Sequence, residues 1–462
     1  MLASCSVAPD TEAGADSESG SLPTESETAD ALYESDLPIR DLGGSEFVMA
    51  VMDNPNIHSD SVPEELTGNI LNDALFDRNT RIEQDSNVTL VQLLYTDSEF
   101  YAIENSIMAA DDLYDTIMMR CTQAHTWSLE KLLVPMEDVP NVNLEKGYWA
   151  QEVNKSLSIN NVQYVAEGAF NLSSYDLTFC LLFNKTLSKN LKLGDPYATV
   201  RDGKWTLELM EQHMMTATSD MNGDGTMTMD DVWGYAASQK MIAPGFWIGA
   251  GVKSISKDQD DIPYISMGEE TFIDAFDWLM KITHDLNVVF DEGGNLDVPE
   301  ENRQIFAEDR ALYMDVSMFF IESMRDMDVD FGIIPYPKRD AAQDRYYARL
   351  SYYCPFVIPI TCKDQDTAGY MLEMLNYYSY HQVIPTYYNV MLKTRASQDH
   401  ESAEMLDLIF ENRVVDMGDT TLCDVIRDGF IAEMVRLNRR DLVSGVKRNE
   451  KIILKRLVFP ES

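Results

Sequence analysis

The chain has 462 residues, of which 45% are hydrophobic, so it is long enough for two or three domains with a sizeable core. It carries 36 Lys and Arg against 78 Asp and Glu, a formal net charge of −42. A surface of that sign repels phosphate and argues against nucleic acid as a partner. No apolar run approaches the roughly 18 residues that a membrane-spanning helix needs.

The cysteines predict no metal site and no complete disulfide framework. None of the six belongs to a CxxC pair or to a Cys/His metal spacing. Without Cys5 an odd number remains, so we expect buried free thiols.

The N-terminal stretch MLASCSVAPD suggests where the protein works. Leu2–Cys5 resembles the lipobox of bacterial lipoproteins, in which the cysteine is lipidated. Residues 6–39 contain nine Asp and Glu and no Lys or Arg, a composition typical of a self-repelling disordered tether. We predict that Cys5 carries a lipid anchor and that residues 1–45 tether the protein to the extracellular face of a bacterial membrane. The alternative is a plain disordered tail.

The folded part is predicted to begin with a parallel α/β unit, because strand and helix patterns alternate from residue 46 onward. Ser61, followed by Pro63 and Glu64, has the pattern of a helix N-cap. The predicted strands lie at 46–52, 88–95 and 114–119, with one helix from Ser61 and another over 98–110.

A second α/β region follows. It begins with a buried strand at 179–183, and Thr206 is the predicted cap of the next helix. Further helices are predicted at 269–286, 300–307, 367–380 and 402–413, and strands at 311–315, 331–334 and 354–360.

Short motifs along the chain carry a resemblance: TGNILNDA at 67–74, YD at 114–115, FNK at 183–185, GKWT at 203–206 and GIIPYP at 332–337. With these motifs the sequence resembles bacterial extracellular solute-binding proteins of carbohydrate ABC transporters, the maltodextrin-binding-like group. The resemblance implies a class II, two-lobed periplasmic-binding-protein fold of α/β type. Each lobe would be a mixed sheet flanked by helices, with a ligand cleft between the lobes.

The same resemblance divides the chain into lobes. The chain would cross between them near 174–178, 334–338 and 380–384. Lobe 1 is then predicted to comprise 46–175 and 338–382, and lobe 2 to comprise 176–337 and 383–462.

The stretch DMNGDGTMTMDD at 220–231 has the spacing of a calcium loop, since oxygen donors alternate and Gly225 permits the sharp turn. Asp stands at the last position, where Glu is usual. There is one such loop and not a pair, so a structural Ca²⁺ is predicted and a sensor role is not. The alternative is a metal-free acidic turn. The predicted ligands are Asp220, Asn222, Asp224, Thr226 and Asp231.

The ligand cleft is predicted mainly from the segment after the third strand, because open α/β sheets bind ligands at the carboxyl ends of parallel strands. Thr122, Gln123 and Trp127 lie there, and in the resembled family this loop touches sugar. Core packing is the alternative for Trp127. The remaining candidates are aromatic or polar residues near predicted crossings and loops: Tyr175, Asp176, Trp247, Met318, Phe319, Tyr352, Tyr353, Tyr387 and Tyr388. Trp247 follows Gly245 in a predicted loop, which suits an exposed platform.

The sequence contains no GxSxG, Walker, HExxH or strand-linked GxGxxG motif, so an enzyme is not expected. The resemblance implies a membrane-tethered monomer that captures a carbohydrate, in the first place an oligosaccharide, for an ABC permease. Two alternatives stay open. The same fold could bind a peptide or another small polar solute, or the protein could hold surface glycans without transport.

Overall fold

Two β-sheets organise the protein. The computed structural model describes residues 34–238, 241–291, 300–324, 327–392 and 400–457. The strands are β1 Ser45–Met52, β2 Val88–Tyr95, β3 Thr116–Met118, β4 Phe179–Asn184, β5 Trp233–Ala237, β6 Ile255–Lys257, β7 Pro263–Ile265, β8 Val289–Asp291, β9 Ala311–Ser317, β10 Phe331–Ile334, β11 Ala348–Arg349, β12 Phe356–Val357 and β13 Arg413–Val414.

Helices surround both sheets. They are α1 Ile70–Ser86, α2 Phe100–Met108, α3 Cys121–Leu129, α4 Gln151–Leu157, α5 Leu172–Asp176, α6 Lys185–Leu191, α7 Pro196–Arg201, α8 Leu207–Ala217, α9 Ile242–Gly249, α10 Glu270–Met280, α11 Glu300–Ala307, α12 Met318–Ser323, α13 Gln365–Tyr378, α14 Ile384–Leu392, α15 His400–Glu411, α16 Glu433–Arg436 and α17 Leu442–Leu457. A 3₁₀ turn covers Met136–Asp138, and π-helical segments cover Lys281–Asp285, Ser379–Val383 and Asp424–Ala432.

The first sheet has the strand order β12–β3–β1–β2. β1 runs parallel to both β2 and β3, whereas β12 is antiparallel to β3. The crossover helix α1 begins at Asn69, whose side chain accepts hydrogen bonds from the backbone N–H groups of Leu71 and Asn72. The helix start predicted at Ser61 is therefore wrong, because the capping side chain is Asn69 and the chain between them is not helical.

The second sheet has the order β10–β4–β9–β5–β8, with β4 antiparallel to both of its neighbours. Side chains along β4 alternate between two hydrophobic clusters: Cys180 and Leu182 face the cluster shared with the first sheet, and Leu181 and Phe183 face the other. Both faces of this sheet are thus buried, as expected of an α/β layer covered by helices. The mixed two-sheet architecture agrees with the predicted fold class.

Segments that run between the sheets are held together by short pairings. The first crossing is the segment with α5 that leads into β4, and the second is the segment from β10 to β12. Thr178 of the first crossing forms a bridge with Leu350 of the second. β11, on the second crossing, pairs in parallel with β13. α14 contacts both α1 and α12. The assignment of individual residues to lobe 1 or lobe 2 stays a prediction.

The N-terminal segment enters the fold earlier than predicted. Arg40 Nη1 lies 2.7 Å from Asp366 Oδ2, and Lys146 Nζ lies 2.8 Å from Asp36 Oδ1. Residues 36–40 therefore lie against α13 and are not part of a free tether. Residues 1–33, with Cys5, lie outside the described residues. No described helix is both long and apolar enough to cross a membrane.

The described cysteines are buried and form no disulfide among the described residues, in agreement with the expected free thiols. They are Cys121, Cys180, Cys354, Cys362 and Cys423.

Candidate functional site

A cavity of about 930 Å³ opens where the parallel strands of the first sheet end. Asn54, Asp97 and Arg120 line it, and each follows the end of β1, β2 or β3 by two residues. Phe179, the first residue of β4, lines the opposite wall. We call this cavity the cleft. Because carboxyl ends of parallel strands are the usual ligand sites of open α/β sheets, the cleft is the candidate binding site.

The centre of the cleft is an ion pair between neighbouring strand ends. Arg120 Nε lies 2.8 Å from Asp97 Oδ1, and Nη2 also contacts the second carboxylate oxygen. The hydrogen bond from Arg120 lowers the pKa of Asp97. The guanidinium lies 5.4 Å from the centre of the Tyr352 ring. These contacts fix two planar hydrogen-bonding groups beside an aromatic ring.

Gln123 and Thr122 begin α3 at the same edge. The side-chain oxygen of Gln123 accepts a hydrogen bond from Arg120 N at 3.3 Å, and this contact orients the amide. Gln123 Nε2 donates to none of the residues that the structure describes, so it is available to a ligand hydroxyl. Residues 120–127, predicted as a loop, are therefore the start of helix α3. A helix holds the side chains of Thr122 and Gln123 in more fixed positions than a loop would.

Three aromatic residues of the neighbouring helices line the cleft: Phe100 and Tyr101 of α2 and Trp127 of α3. Trp127 is only 1% exposed, tilts against Phe100 with ring centres 5.4 Å apart, and donates from Nε1 to Glu104 at 3.4 Å. It forms the floor and also belongs to the core. Tyr101 is 69% exposed and stands at the rim. The sequence analysis missed Tyr101 because a tyrosine on a helix gives no local sign of facing a cleft.

The opposite wall includes a π-helical segment, Asp424–Ala432, and π-helical turns recur at functional sites. Arg427 Nη1 lies 3.1 Å from Asp419 Oδ1, and its Nε lies 2.8 Å from Asp428 Oδ1. Burial works to lower the pKa of Arg427, but the neighbouring carboxylates outweigh burial and raise it. The sequence analysis proposed nothing here, since these charges come together only through long-range packing.

The twelve predicted ligand residues divide among several places. Thr122, Gln123, Trp127 and Tyr352 line the cleft. Tyr175 and Tyr388 line a second cavity, and Phe319 lines a third. The remaining five are buried elsewhere: Asp176, Trp247, Met318, Tyr353 and Tyr387.

Trp247 was expected as an exposed platform in a glycine-flanked loop, and that expectation is wrong. It lies within the fully buried helix α9 and donates from Nε1 to Asp416 Oδ2 at 2.7 Å. Met318 and Phe319, predicted in a loop, begin α12.

Asp176 and Tyr387, both buried, form one hydrogen-bonded network with the half-buried His58. His58 Nδ1 lies 2.8 Å from Asp176 Oδ1, and Tyr387 donates to the same oxygen at 2.9 Å. His58 and Phe319, with ring centres 5.4 Å apart, line the third cavity, of about 810 Å³. This cavity shares Asn54 and Pro55 with the cleft, so the two cavities adjoin at the end of β1.

The predicted calcium loop connects α8 to β5 and is shaped by its own side chains. Asp220 accepts hydrogen bonds from the N–H groups of Gly223 and Gly225, at 2.7 and 2.8 Å. Asp231 accepts from Met221 N and Thr228 N. Across the described ranges no group of three or more His, Cys, Asp or Glu is placed to hold a metal ion. The donor types fit calcium, but the carboxylates do not converge as the loop stands.

The fold can be compared with known proteins. No family model matches the sequence, and no curated protein matches it. Among solved structures, the sugar-binding protein MalE from Xanthomonas citri aligns with TM-score 0.60 and 12% identity, over 89% of this chain and 97% of that chain. An ABC substrate-binding protein from Listeria monocytogenes, in complex with cycloalternan, aligns with TM-score 0.55 and 12% identity, over 90% and 100%. The GacH receptor of Streptomyces glaucescens, solved unliganded and with acarbose, aligns with TM-score 0.56 and 12% identity, over 90% and 98%.

These alignments run through nearly the whole of each chain. The protein has the two-lobed fold of ABC transporter solute-binding proteins, and the resemblance noted in the sequence is confirmed at the level of the fold.

Proposed function

We propose that the protein is an extracellular solute-binding protein that captures an oligosaccharide in the cleft and delivers it to an ABC permease. The observation that carries this proposal is the cleft itself, at the carboxyl ends of β1, β2 and β3 and faced by the start of β4. Structures with the same fold hold cycloalternan and acarbose.

The chemistry of the cleft favours an uncharged, hydroxyl-rich ligand. Arg120 and Asp97 neutralise each other, and so do Arg427 and its neighbouring carboxylates. Planar guanidinium, carboxylate and amide groups suit the paired hydroxyls of a sugar ring, and Tyr101 and Tyr352 offer aromatic faces for its C–H bonds. A charged ligand would have to break one of these pairs.

Capture requires the two sides of the cleft to approach one another around the ligand. A ligand that contacts both walls binds the closed arrangement better than the open one, and this difference in affinity drives closure. The protein makes and breaks no covalent bond in this process, so it acts as a receptor and not as an enzyme.

We also propose that Cys5 is lipidated and holds the monomer at the outer face of a bacterial membrane, on the strength of the LASC stretch and the acidic segment after it. Wild-type protein expressed with a functional signal peptide should incorporate labelled palmitate and sediment with membranes. Cys5→Ser should do neither, whereas membrane association that survives this substitution would contradict the anchor.

The loop 220–231 supports a third proposal, a structural Ca²⁺ held by Asp220, Asn222, Asp224, Thr226 and Asp231. The loop chemistry supports it, since hard oxygen donors alternate along a turn that Gly223 and Gly225 bend. Chelation should lower the melting temperature but leave sugar binding intact wherever the fold survives. Loss of binding with the fold intact would mean that the loop does more than brace the structure.

The proposed function is tested by a thermal-shift screen of the purified protein, with calcium, against mono- and oligosaccharides such as maltose, maltotriose and cyclodextrins. A ligand that binds only the folded state raises the melting temperature by mass action. A rise with one sugar series, lost in Arg120→Ala, supports capture in the cleft. No rise with any sugar contradicts carbohydrate capture and directs the screen to peptides and then to insoluble glycans.

A further inference from the structure

A second cavity, of about 590 Å³, lies among the segments that run between the two sheets. It shares no lining residue with the cleft. Tyr175 of the first crossing, Tyr388 of α14, Phe410 of α15 and Arg413 of β13 line it. We call it the crossing cavity. Its size is within the range of small-molecule sites, about 300 to 1,000 Å³.

Aromatic rings form the inner wall of the crossing cavity. Phe410 lies between two tyrosines, with ring centres 5.4 Å from Tyr175 and 5.0 Å from Tyr388. The guanidinium of Arg413 lies 4.3 Å from the centre of the Tyr175 ring. Both Tyr175 and Arg413 are only 7% exposed, so packing fixes their orientations.

Three polar groups in this wall have no hydrogen-bond partner among the described residues. They are the hydroxyls of Tyr175 and Tyr388 and the Nη2 group of Arg413, whose Nε and Nη1 donate to Phe410 O and Ser174 O. None of the three is among the solvent-sealed atoms that lack a partner, so each keeps some solvent exposure, and all three residues line the cavity. Buried polar groups normally have partners, and groups left open toward a cavity are therefore available to a ligand.

The charges around the cavity define the class of that ligand. The carboxylates of Glu152, Asp407 and Glu411 line it and disfavour an anion. Arg413 already covers the Tyr175 ring and disfavours a cation there. A neutral molecule with hydroxyl groups on an apolar ring face satisfies the open donors and the aromatic wall together.

We propose that the crossing cavity is a second saccharide site, which takes one neutral sugar ring independently of the cleft. The choice of a sugar over other neutral polyols rests on the proposed function. The cavity, its open polar groups and its charge pattern do not depend on that function.

The test uses saturation-transfer NMR on the whole protein, with glucose, galactose and mannose each at millimolar concentration as probes. The cleft is first disabled by Arg120→Ala with Gln123→Ala. At least one monosaccharide is expected to keep its signal in this background. Adding Tyr388→Ala should abolish that signal, and adding Tyr388→Phe, which removes only the hydroxyl, should weaken binding by about fivefold.

Circular dichroism and melting temperatures of all variants check that the protein folds, and Tyr388→Phe keeps the test valid if the alanine variant does not fold. The proposal is overturned if no monosaccharide signal survives in the cleft-disabled protein, or if the surviving signal is unchanged by Tyr388→Phe. Failure of the proposed function appears separately, as the absence of a thermal shift with every oligosaccharide of the screen or as oligosaccharide binding that Arg120→Ala leaves unchanged.

Discussion

Arg349 and Asp419 form a bidentate ion pair inside the protein. Arg349 Nε lies 2.6 Å from Asp419 Oδ2, Nη2 lies 2.7 Å from Oδ1, and both side chains are fully buried. Asp419 also receives a hydrogen bond from Arg427 of the cleft wall. One carboxylate therefore joins β11, on the second crossing, to the wall of the cleft that contains Arg427.

Asp419→Asn should destabilise the protein strongly, because it leaves Arg349 and Arg427 buried without their shared counter-charge. Breaking one side of a buried pair costs about 3–5 kcal/mol. Urea unfolding monitored by circular dichroism measures the loss. The matched control is Asp285→Asn, which breaks an exposed pair with Arg440 and should cost less than about 1 kcal/mol. If both variants lose the same free energy of unfolding, burial does not make the Arg349–Asp419 pair more important than an exposed pair.

Tyr101→Ala should weaken oligosaccharide binding by about fivefold, since an exposed ring at the rim of the cleft supplies stacking that is worth about 1 kcal/mol. The protein should keep its melting temperature, because the Tyr101 side chain is mostly exposed. Calorimetric titration with the best sugar of the thermal-shift screen measures the change. Tyr264→Ala removes another exposed ring, on β7 and outside the cleft, and should leave the affinity unchanged. A similar loss of affinity in both variants would show that Tyr101 does not contact the sugar.

Local sequence signals predicted most of the framework. β2 and β10 and helix α11 have the predicted bounds, since each is a clear apolar or helical run between turn residues. The Thr206 cap is confirmed by its hydrogen bond from Leu209 N. The same kind of signal gave a wrong helix start at Ser61, where Pro63 and Glu64 complete an N-cap pattern. The residue that caps α1 is Asn69.

The site was predicted only in part, for a physical reason. Strand order places Asn54, Asp97 and Arg120 together, so the edge of the first sheet could be predicted from the parallel α/β pattern. The opposite wall depends on contacts such as Arg349 with Asp419, which join distant parts of the chain without any local periodicity. No pattern in the sequence alone brings such charges together.

Trp247 was predicted in an exposed loop because a glycine, Gly245, lies two residues before it. The structure gives that glycine a packing role, which can be tested. Gly245 was taken as a loop residue, but it lets α9 approach Tyr336: a Cβ there would lie 2.5 Å from the Tyr336 ring. Gly245→Ala should therefore destabilise the protein by about 1–3 kcal/mol through overpacking. A Cβ at Gly268 meets nothing within 4 Å, so Gly268→Ala is the control and should change the melting temperature little. Unchanged stability in Gly245→Ala would mean that α9 can move away from Tyr336 without a cost in free energy.

Glu167 should give the protein a distinct pH dependence. Its side chain is fully buried, and burial raises its pKa from 4.5 to about 8, against hydrogen bonds from Asn171 Nδ2 at 2.9 and 3.2 Å. Between these two pKa values the folded state holds a proton that the unfolded state has lost. The contribution of Glu167 to the free energy of unfolding is therefore greatest below pH 4.5 and decreases as the pH rises toward 8.

Glu167→Gln stays neutral at every pH and so loses this dependence. Relative to the wild type, its melting temperature should be similar near pH 5, should rise progressively up to about pH 8 and should then level off, as measured by differential scanning calorimetry from pH 5 to pH 9. Glu64→Gln, at an exposed position, is the control for removing one negative charge from a strongly acidic protein, and its difference from the wild type should vary little with pH. If the two variants follow the same pH profile, net charge and not the buried carboxyl of Glu167 governs stability in this range.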